Sequence, residues 1–371
     1  MSTQLKRKPV EETAQRMMNG GAAVNEALAI MGQRNKDVLL FAEGIDDPSA
    51  IYGTTKNLRP IYGDDRIIEM PVAENGLCGV AIGAAMSGKR PVISFHRVEF
   101  ALLAIEQIVN NAAKMHYISN GQHHAPIVLR LVVGRGWGQG PEHSQSLETL
   151  FSYMPGLKVL MPVFPEDYKG MLCAAIEDNN PVVIIEHRWT HYVKGHVPEG
   201  YYTSDITKPI CRREGKHITI AATSYSALEA MKAAEVLEQV GVEAEVFDIR
   251  VTRPLVTSDI AASVKKTGHL LTADTGFKTL GIGAEIISQV TETAFNALKA
   301  APVRIGMPDH PTPSSRGYLP GLYPDARKII ENTCDMLKLP ADKKAQALKI
   351  YDDTSSKLPV DVPDPAFAGP F

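Results

Sequence analysis

The chain has 371 residues, enough for two domains of ordinary size. Its 44% hydrophobic and 22% charged content excludes disordered and collagen-like classes. Thirty-nine Lys+Arg against 42 Asp+Glu leave a formal net charge of −3, without the basic footprint expected of a nucleic-acid binder.

No apolar run approaches the roughly 18 residues of a membrane-spanning helix. The opening MSTQLKRKPVEETAQ lacks the apolar centre of a secretory signal. Cys78, Cys173, Cys211 and Cys334 have no zinc-like spacing and read as reduced thiols. The expectation is a cytoplasmic enzyme with no membrane and no nucleic-acid partner.

In chain order, a helical stretch near Ala14–Met31 precedes a short apolar run at 38–41. Residues 66–70 read as a strand, and the Gly/Ala-rich segment 77–87 as a helix. Strands follow at 91–95, 127–133, 158–161 and 181–186, with a long helix over 100–117 and another over 166–178. Strands separated by helices of ten or more residues imply parallel pairing and an α/β fold. The Tyr-, His-, Gly- and Pro-rich stretch 189–214 breaks this rhythm and reads as the passage to a second domain.

Strands at 217–222, 243–248, 269–274 and 303–307 then alternate with helices at 226–240, 258–266 and 282–294. The fold class is therefore α/β in two domains: 1–200 with a parallel sheet, and a smaller 201–340. Residues 341–371 are assigned to an extended C-terminal arm. A short Lys/Ala-rich helix candidate begins that arm, and prolines forbid regular structure in its end, LPVDVPDPAFAGPF.

Several residues stand where chemistry is expected. Glu74, in PVAENGLCG, follows a strand at the mouth of a helix, whose positive end favours an ionised carboxylate. A carboxylate that only stabilises the helix is the plain alternative. The run GRGWGQGPEHSQS (134–146) frees the backbone through four glycines and delivers His143. It matches neither a dinucleotide fingerprint nor a phosphate-binding P-loop. Such a loop after a central strand is a place for a ligand, although a bare surface loop has the same composition. His96 and Phe100 are four residues apart, so they share a helix face and can flank a flat ligand, unless Phe100 is core and His96-Arg97 are solvated. EDNNP (177–181) reads as a turn whose carbonyls suit a monovalent cation, although nothing in its spacing demands one.

NGGAAVNEAL (19–28), PVAENGLCGVAIGAAMSGKRPV (71–92), AIEQIVNNAAKMHYISNGQ (104–122), HSQSLE (143–148), PGLKVLMP (155–162) and AAIEDNNPVVIIEH (174–187) together resemble the β subunit of thiamine-diphosphate-dependent 2-oxoacid dehydrogenases. VFDIRVTRPL (246–255), SVKKTGHLLTADTG (263–276) and GIGAEI (281–286) resemble that family's transketolase-type C-terminal domain.

The resemblance implies an N-terminal pyrimidine-binding domain. Glu74 matches the glutamate that hydrogen-bonds N1′ of the cofactor's aminopyrimidine and relays a proton there. Phe100 matches the aromatic against the pyrimidine, Val72 an apolar wall, and His143 the histidine facing the reacting carbon. The carbonyls of Ile127, Ala175, Asp178 and Asn180 match positions that hold a structural potassium ion in some members. The partner subunit's GDG motif for diphosphate and magnesium is missing, since this chain has Gly63-Asp64-Asp65. The resemblance therefore implies an α subunit that carries the diphosphate and Mg2+ side, in an α2β2 assembly.

His96-Arg97, the basic and aromatic Arg188-Trp189-Thr190-His191, and PDHPTPSSRGYLPGLYP (308–324) depart from the dehydrogenase pattern. One reading is decarboxylation of a 2-oxoacid with acyl transfer to a lipoyl acyltransferase. A second is a split transketolase-like carboligase acting on a sugar or sugar phosphate. A third is a non-catalytic scaffold subunit, against which Glu74 and His143 both argue.

Overall fold

The computed structural model describes residues 16–47, 51–135 and 139–355, and every count below refers to these. The first half contains β1 (Met17–Asn19), α1 (Gly20–Arg34), β2 (Val38–Ala42), α2 (Arg59–Tyr62), β3 (Ile67–Glu69), α3 (Glu74–Met86) and β4 (Arg90–Phe95). It continues with α4 (Met115–Ile118), β5 (Val128–Val133), α5 (Glu148–Tyr153), β6 (Lys158–Leu160), α6 (Pro165–Glu177), β7 (Val182–His187) and β8 (Lys194–His196). The second half contains β9 (Ile210–Arg213), β10 (Ile218–Ala222), α7 (Tyr225–Glu238), β11 (Ala244–Asp248), β12 (Val251–Arg253) and α8 (Ser258–Thr267). It ends with β13 (Leu270–Phe277), α9 (Ile282–Ala294), β14 (Val303–Met307), α10 (Ala326–Met336) and α11 (Ala341–Thr354).

A seven-stranded sheet has the order β12-β6-β7-β5-β4-β2-β3. Strands β2 to β7 run parallel in it, with Leu40 opposite Val92, Phe95 opposite Leu131 and Val133 opposite His187. These strands are continuous runs of Val, Ile and Leu because both sheet faces are covered, which is why they lack polar alternation. One face packs α1 and α6 through Val24, Leu28, Met171 and Leu172. The other packs α3, α5 and the residues after β4 through Cys78, Ile82, Ile108 and Phe151.

The connection leaving β2 runs toward β3, and the one leaving β4 runs toward β5. The carboxyl ends of β2 and β4 therefore bound a crevice, the usual ligand position in an open α/β sheet.

The second sheet, β14-β13-β10-β11-β9, is five-stranded, with β9 antiparallel on its edge. Helices α7 and α10 cover one face, α8 and α9 the other. The two halves are interleaved, because β12 from the second half pairs antiparallel with β6 of the first sheet. No helix among the described residues is long and apolar enough to cross a membrane.

Two expectations need correction. The long helix over 100–117 is instead a 3₁₀ turn at Val98–Leu102, a π turn at Gln107–Ala112 and the short α4. Apolar spacing reports which side of a segment is buried, and a one-residue widening of the turn keeps Ile108 and Ala112 inward all the same. The arm assigned to 341–371 is not extended over its first part. Residues 341–354 form α11, which anchors Ala347 in the second domain's core beside Leu348 and Tyr351. The rest of the arm, from 356, lies outside the described residues.

Candidate active site at the edge of the first sheet

Four loops meet at the carboxyl edge of the first sheet. The loop after β3 turns back at once, with the Ala73 N–H donating to the Pro71 carbonyl at 2.7 Å. Helix α3 then starts on Glu74 itself, with no side-chain cap. Its uncapped N–H groups make the local field positive, which suits an anionic carboxylate there. Glu74 is only 5% exposed, yet among the described residues its carboxylate has no hydrogen-bond donor. With no protein donor on it, the carboxylate keeps its acceptor atoms available to a ligand that supplies one.

Glu43, directly after β2, was not singled out in the sequence. Burial pushes its carboxyl up, and the Glu74 and Glu69 carboxylates push in the same direction. Its Oε1 is buried without a partner. Glu69, at the end of β3, accepts the Gly44 N–H at 2.7 Å and the Asp46 N–H at 3.2 Å, fixing the loop after β2 beside Glu74.

The segment after β4 contributes His96, Arg97, Glu99 and Phe100. His96 is half-buried, and its Nε2 is enclosed without a partner. Burial lowers its pKa, partly countered by a hydrogen bond to the Glu43 backbone and by Asp47. Arg97 donates to Gln139. Glu99 accepts the Gln145 N–H at 2.8 Å, which clamps the glycine-rich loop to the turn after β4. Burial raises the Glu99 carboxyl, and the Gln145 N–H opposes the rise.

The clamp sets His143 edge-on to Phe100, with ring centroids 5.7 Å apart at 68°. His143 Nδ1 is buried without a partner. Gly134 is required here, because a side chain would run into the His143 carbonyl and the Arg97 guanidinium. Residues 136–138 of the same run lie outside the described residues.

Of the residues singled out in the sequence, Phe100 and His143 meet directly, and Glu74 stands beside the Glu43 whose backbone bonds His96. Val72 is 83% exposed. The missed residues are Glu43, Glu99 and Gln139. Glu99 left one trace, an acid inside the apolar run VEFALL.

The carbonyls expected to hold potassium are largely engaged by protein donors. Ile127 accepts the Val182 N–H at 2.9 Å, and Ala175 accepts the Asp178 N–H at 3.3 Å. Asp178 accepts the Arg90 guanidinium at 3.0 Å. Lys158 also pairs with the Asp178 side chain. Two cationic side chains at Asp178 and one backbone N–H on each of the Ile127 and Ala175 carbonyls make a poor fit for a bound cation, and no step below involves one.

Behind the edge, the first sheet holds a fully buried ionic cluster. Arg130 on β5 donates to both oxygens of Glu186 on β7, at 2.6 and 2.9 Å, and to Ser94 on β4 at 3.1 Å. His191 Nε2 donates to Glu186 at 2.8 Å. Burial alone would raise the Glu186 carboxyl, but Arg130 and His191 overcome it and hold it down at about 2.

An open parallel sheet with a carboxylate, an aromatic ring and a histidine around its switch point, joined to a second α/β sheet, defines a transketolase-type architecture. The family described as "Transketolase, pyrimidine binding domain" matches residues 16–191, and "Transketolase, C-terminal domain" matches 208–329. The pyruvate dehydrogenase E1 component subunit beta of Bos taurus is 37% identical, over 83% of this chain and 87% of that protein. Those of Saccharomyces cerevisiae and Pisum sativum are 36% and 40% identical, covering 85% and 78% of this chain and 88% and 82% of their own. The chain belongs to the family of β subunits of thiamine-diphosphate-dependent 2-oxoacid dehydrogenases.

A split-gene transketolase, solved as an inactive β4 tetramer, shares the fold at a TM-score of 0.69 and 23% identity, over 86% of this chain and 97% of that one. The mitochondrial location in the relatives' names is theirs, and it lends no support to the cytoplasmic expectation.

Proposed function

We propose that this chain forms the pyrimidine side of the active site in an enzyme that decarboxylates a 2-oxoacid and passes on the acyl group. The observation that carries this reading is the buried, donor-less Glu74 carboxylate at the start of α3. Thiamine diphosphate, when bound, supplies a ring carbon acidic enough to lose its proton and add to a carbonyl. Glu74 would hold the aminopyrimidine at N1′, exchanging a proton with it. Its depth in the fold keeps that exchange away from water. The Phe100 ring offers a flat face for the pyrimidine, and exposed Val72 an apolar wall at the subunit boundary. His143, held by Phe100 with Nδ1 uncommitted, stands ready to orient substrate or move a proton on it.

The diphosphate and Mg2+ fall to an α subunit, in an α2β2 assembly. A lipoyl acyltransferase is the proposed acyl acceptor. Co-purification with the candidate α subunit, followed by assay of 2-oxoacids with and without a lipoyl acceptor, tests the reading. Lipoyl-dependent turnover supports it. A stable complex that joins a 2-oxoacid-derived fragment to a sugar, without oxidation, would move the enzyme to the carboligases.

The observation that favours that second reading is the basic edge. Burial lowers Arg188 to about 10, with Arg97 close enough to lower it further. Two guanidiniums beside one crevice suit a more polar or anionic substrate than pyruvate.

A further inference from the structure

A cavity of about 350 Å³ opens where α1 begins, lined among others by Gly21, Asn25, Tyr52, Lys56, His191 and Tyr192. Because α1 leads directly into β2, its first turn lies at the same sheet edge as the catalytic residues. Tyr52 is a shared wall, its hydroxyl donating to the His96 carbonyl at 3.4 Å. Nothing in the reading of Glu74, Phe100 and His143 uses this cavity.

Its polar lining makes two separate demands. The first is for an anion. Helix α1 is 15 residues long, so its first turn carries the positive end of a substantial dipole. In that turn the Gly20 N–H is taken by the Val193 carbonyl and the Ala22 N–H by Asn19, leaving the Gly21 N–H beside the cavity. Lys56 has no ion pair among the described residues, and Asn25 holds its loop in place by donating to the Thr54 and Lys56 carbonyls at 3.1 and 2.9 Å. Arg188 adds positive charge close to Tyr52 and Tyr192.

The second demand is for a proton donor. His191 is 2% exposed and lines the cavity. Its Nε2 donates to Glu186, so in the neutral ring Nδ1 carries the lone pair, and Nδ1 is buried without a partner. The Arg130–Glu186 pair fixes the ring from behind, so His191 cannot turn to find a donor elsewhere.

We propose that this cavity binds a phosphate ester bearing free hydroxyl groups, a sugar phosphate in chemical class, with its phosphate at the first turn of α1 and Lys56 and a hydroxyl donating to His191 Nδ1. Helix ends with free N–H groups are established phosphate receptors. The proposal is independent of the cofactor, so it stands or falls apart from the catalytic reading.

Titration calorimetry on the full chain, alone and assembled with its α partner, at constant ionic strength in chloride buffer, tests it with ribose 5-phosphate, inorganic phosphate and ribose. Ribose 5-phosphate is expected to bind, inorganic phosphate to bind roughly tenfold more weakly, and ribose not to bind. Lys56→Glu, at an exposed position, should retain the native circular dichroism and weaken ribose 5-phosphate roughly tenfold. Absence of ribose 5-phosphate binding, or binding unchanged in Lys56→Glu, overturns the site. Inorganic phosphate binding as tightly as the ester overturns the role of His191 and the sugar-phosphate assignment.

Discussion

The two sheets are built on the same plan, but the acids of the second are tied to groups of their own domain, whereas the carboxyl edge of the first gathers acids and histidines with uncommitted atoms. In the second sheet, Asp274 on β13 accepts the Gly283 N–H at 2.8 Å and the Thr223 hydroxyl at 3.4 Å, closing its loop onto the first turn of α9. Asp248 on β11 accepts from Arg212 at 3.1 and 3.2 Å. At the edge of the first sheet, Glu74 has no donor among the described residues, and Glu43, His96 and His143 each keep one buried atom unpaired. Unsatisfied buried polar atoms are costly, so a fold keeps a cluster of them where a ligand completes the bonding. Asp248 Oδ1, Thr272 Oγ1 and Thr275 Oγ1 stay unpaired in the second domain as well, so it is the gathering of uncommitted acids and histidines at the crevice of the first sheet that marks that edge as half of a site.

The largest effect should come from breaking the incomplete edge. Glu74→Gln keeps shape and burial but cannot relay a proton, so the assembled enzyme should lose turnover by about a hundredfold to ten-thousandfold with its thermal midpoint little changed. Steady-state assay with saturating thiamine diphosphate checks this, and near-normal activity would remove Glu74 from its role.

The next effect concerns the cluster that supports that edge. Arg130→Met leaves Glu186 and His191 buried without the guanidinium, a loss of about 3–5 kcal/mol by analogy with other broken buried pairs. The chain should melt well below the wild type. Because the Glu186 carboxyl is held at about 2, its contribution is present above about pH 4.5 and lost as pH falls toward 2. The gap between wild type and variant should therefore narrow in acid, as followed by circular dichroism melts.

A smaller effect, opposite in sign, sharpens the contrast with the second sheet. Burial pushes Asp274 up to about 7, against its two hydrogen bonds. The folded protein thus holds a proton that the unfolded chain releases near 3.8, and the stability tied to it declines as pH rises from about 4 to 7. Asp274→Asn removes that titration, so its melting temperature relative to wild type should rise between pH 5 and pH 8. A pH-independent difference would contradict the buried-proton account.

How much of this was legible in the sequence follows from what each feature depends on. The strands were readable because runs such as Val182–Ile185 are apolar on both faces. The start of α3 at Glu74 was readable from the strand, turn and Gly/Ala-rich order. The interleaving of the halves was not, because β12 is three residues long and owes its place to pairing with β6, more than 90 residues earlier. The Glu43–Glu74 proximity and the Arg90 contact with the Asp178 carbonyl were hidden for the same reason, being made by sheet order rather than local pattern. Glu74, Phe100 and His143 stood out by their local setting and took their roles from the resemblance, and the structure adds Glu99 and Gly134 as the devices that hold His143 against Phe100.

The central claim is that this edge is the pyrimidine half of a shared site, with Glu74 and His143 acting at different stages. It is tested most directly by hydrogen–deuterium exchange at C2 of thiamine diphosphate, followed by nuclear magnetic resonance in the assembled enzyme without substrate. The account predicts that Glu74→Gln abolishes exchange, whereas His143→Ala retains it yet loses most product formation. Exchange that survives in Glu74→Gln, or collapses in His143→Ala together with turnover, would contradict it.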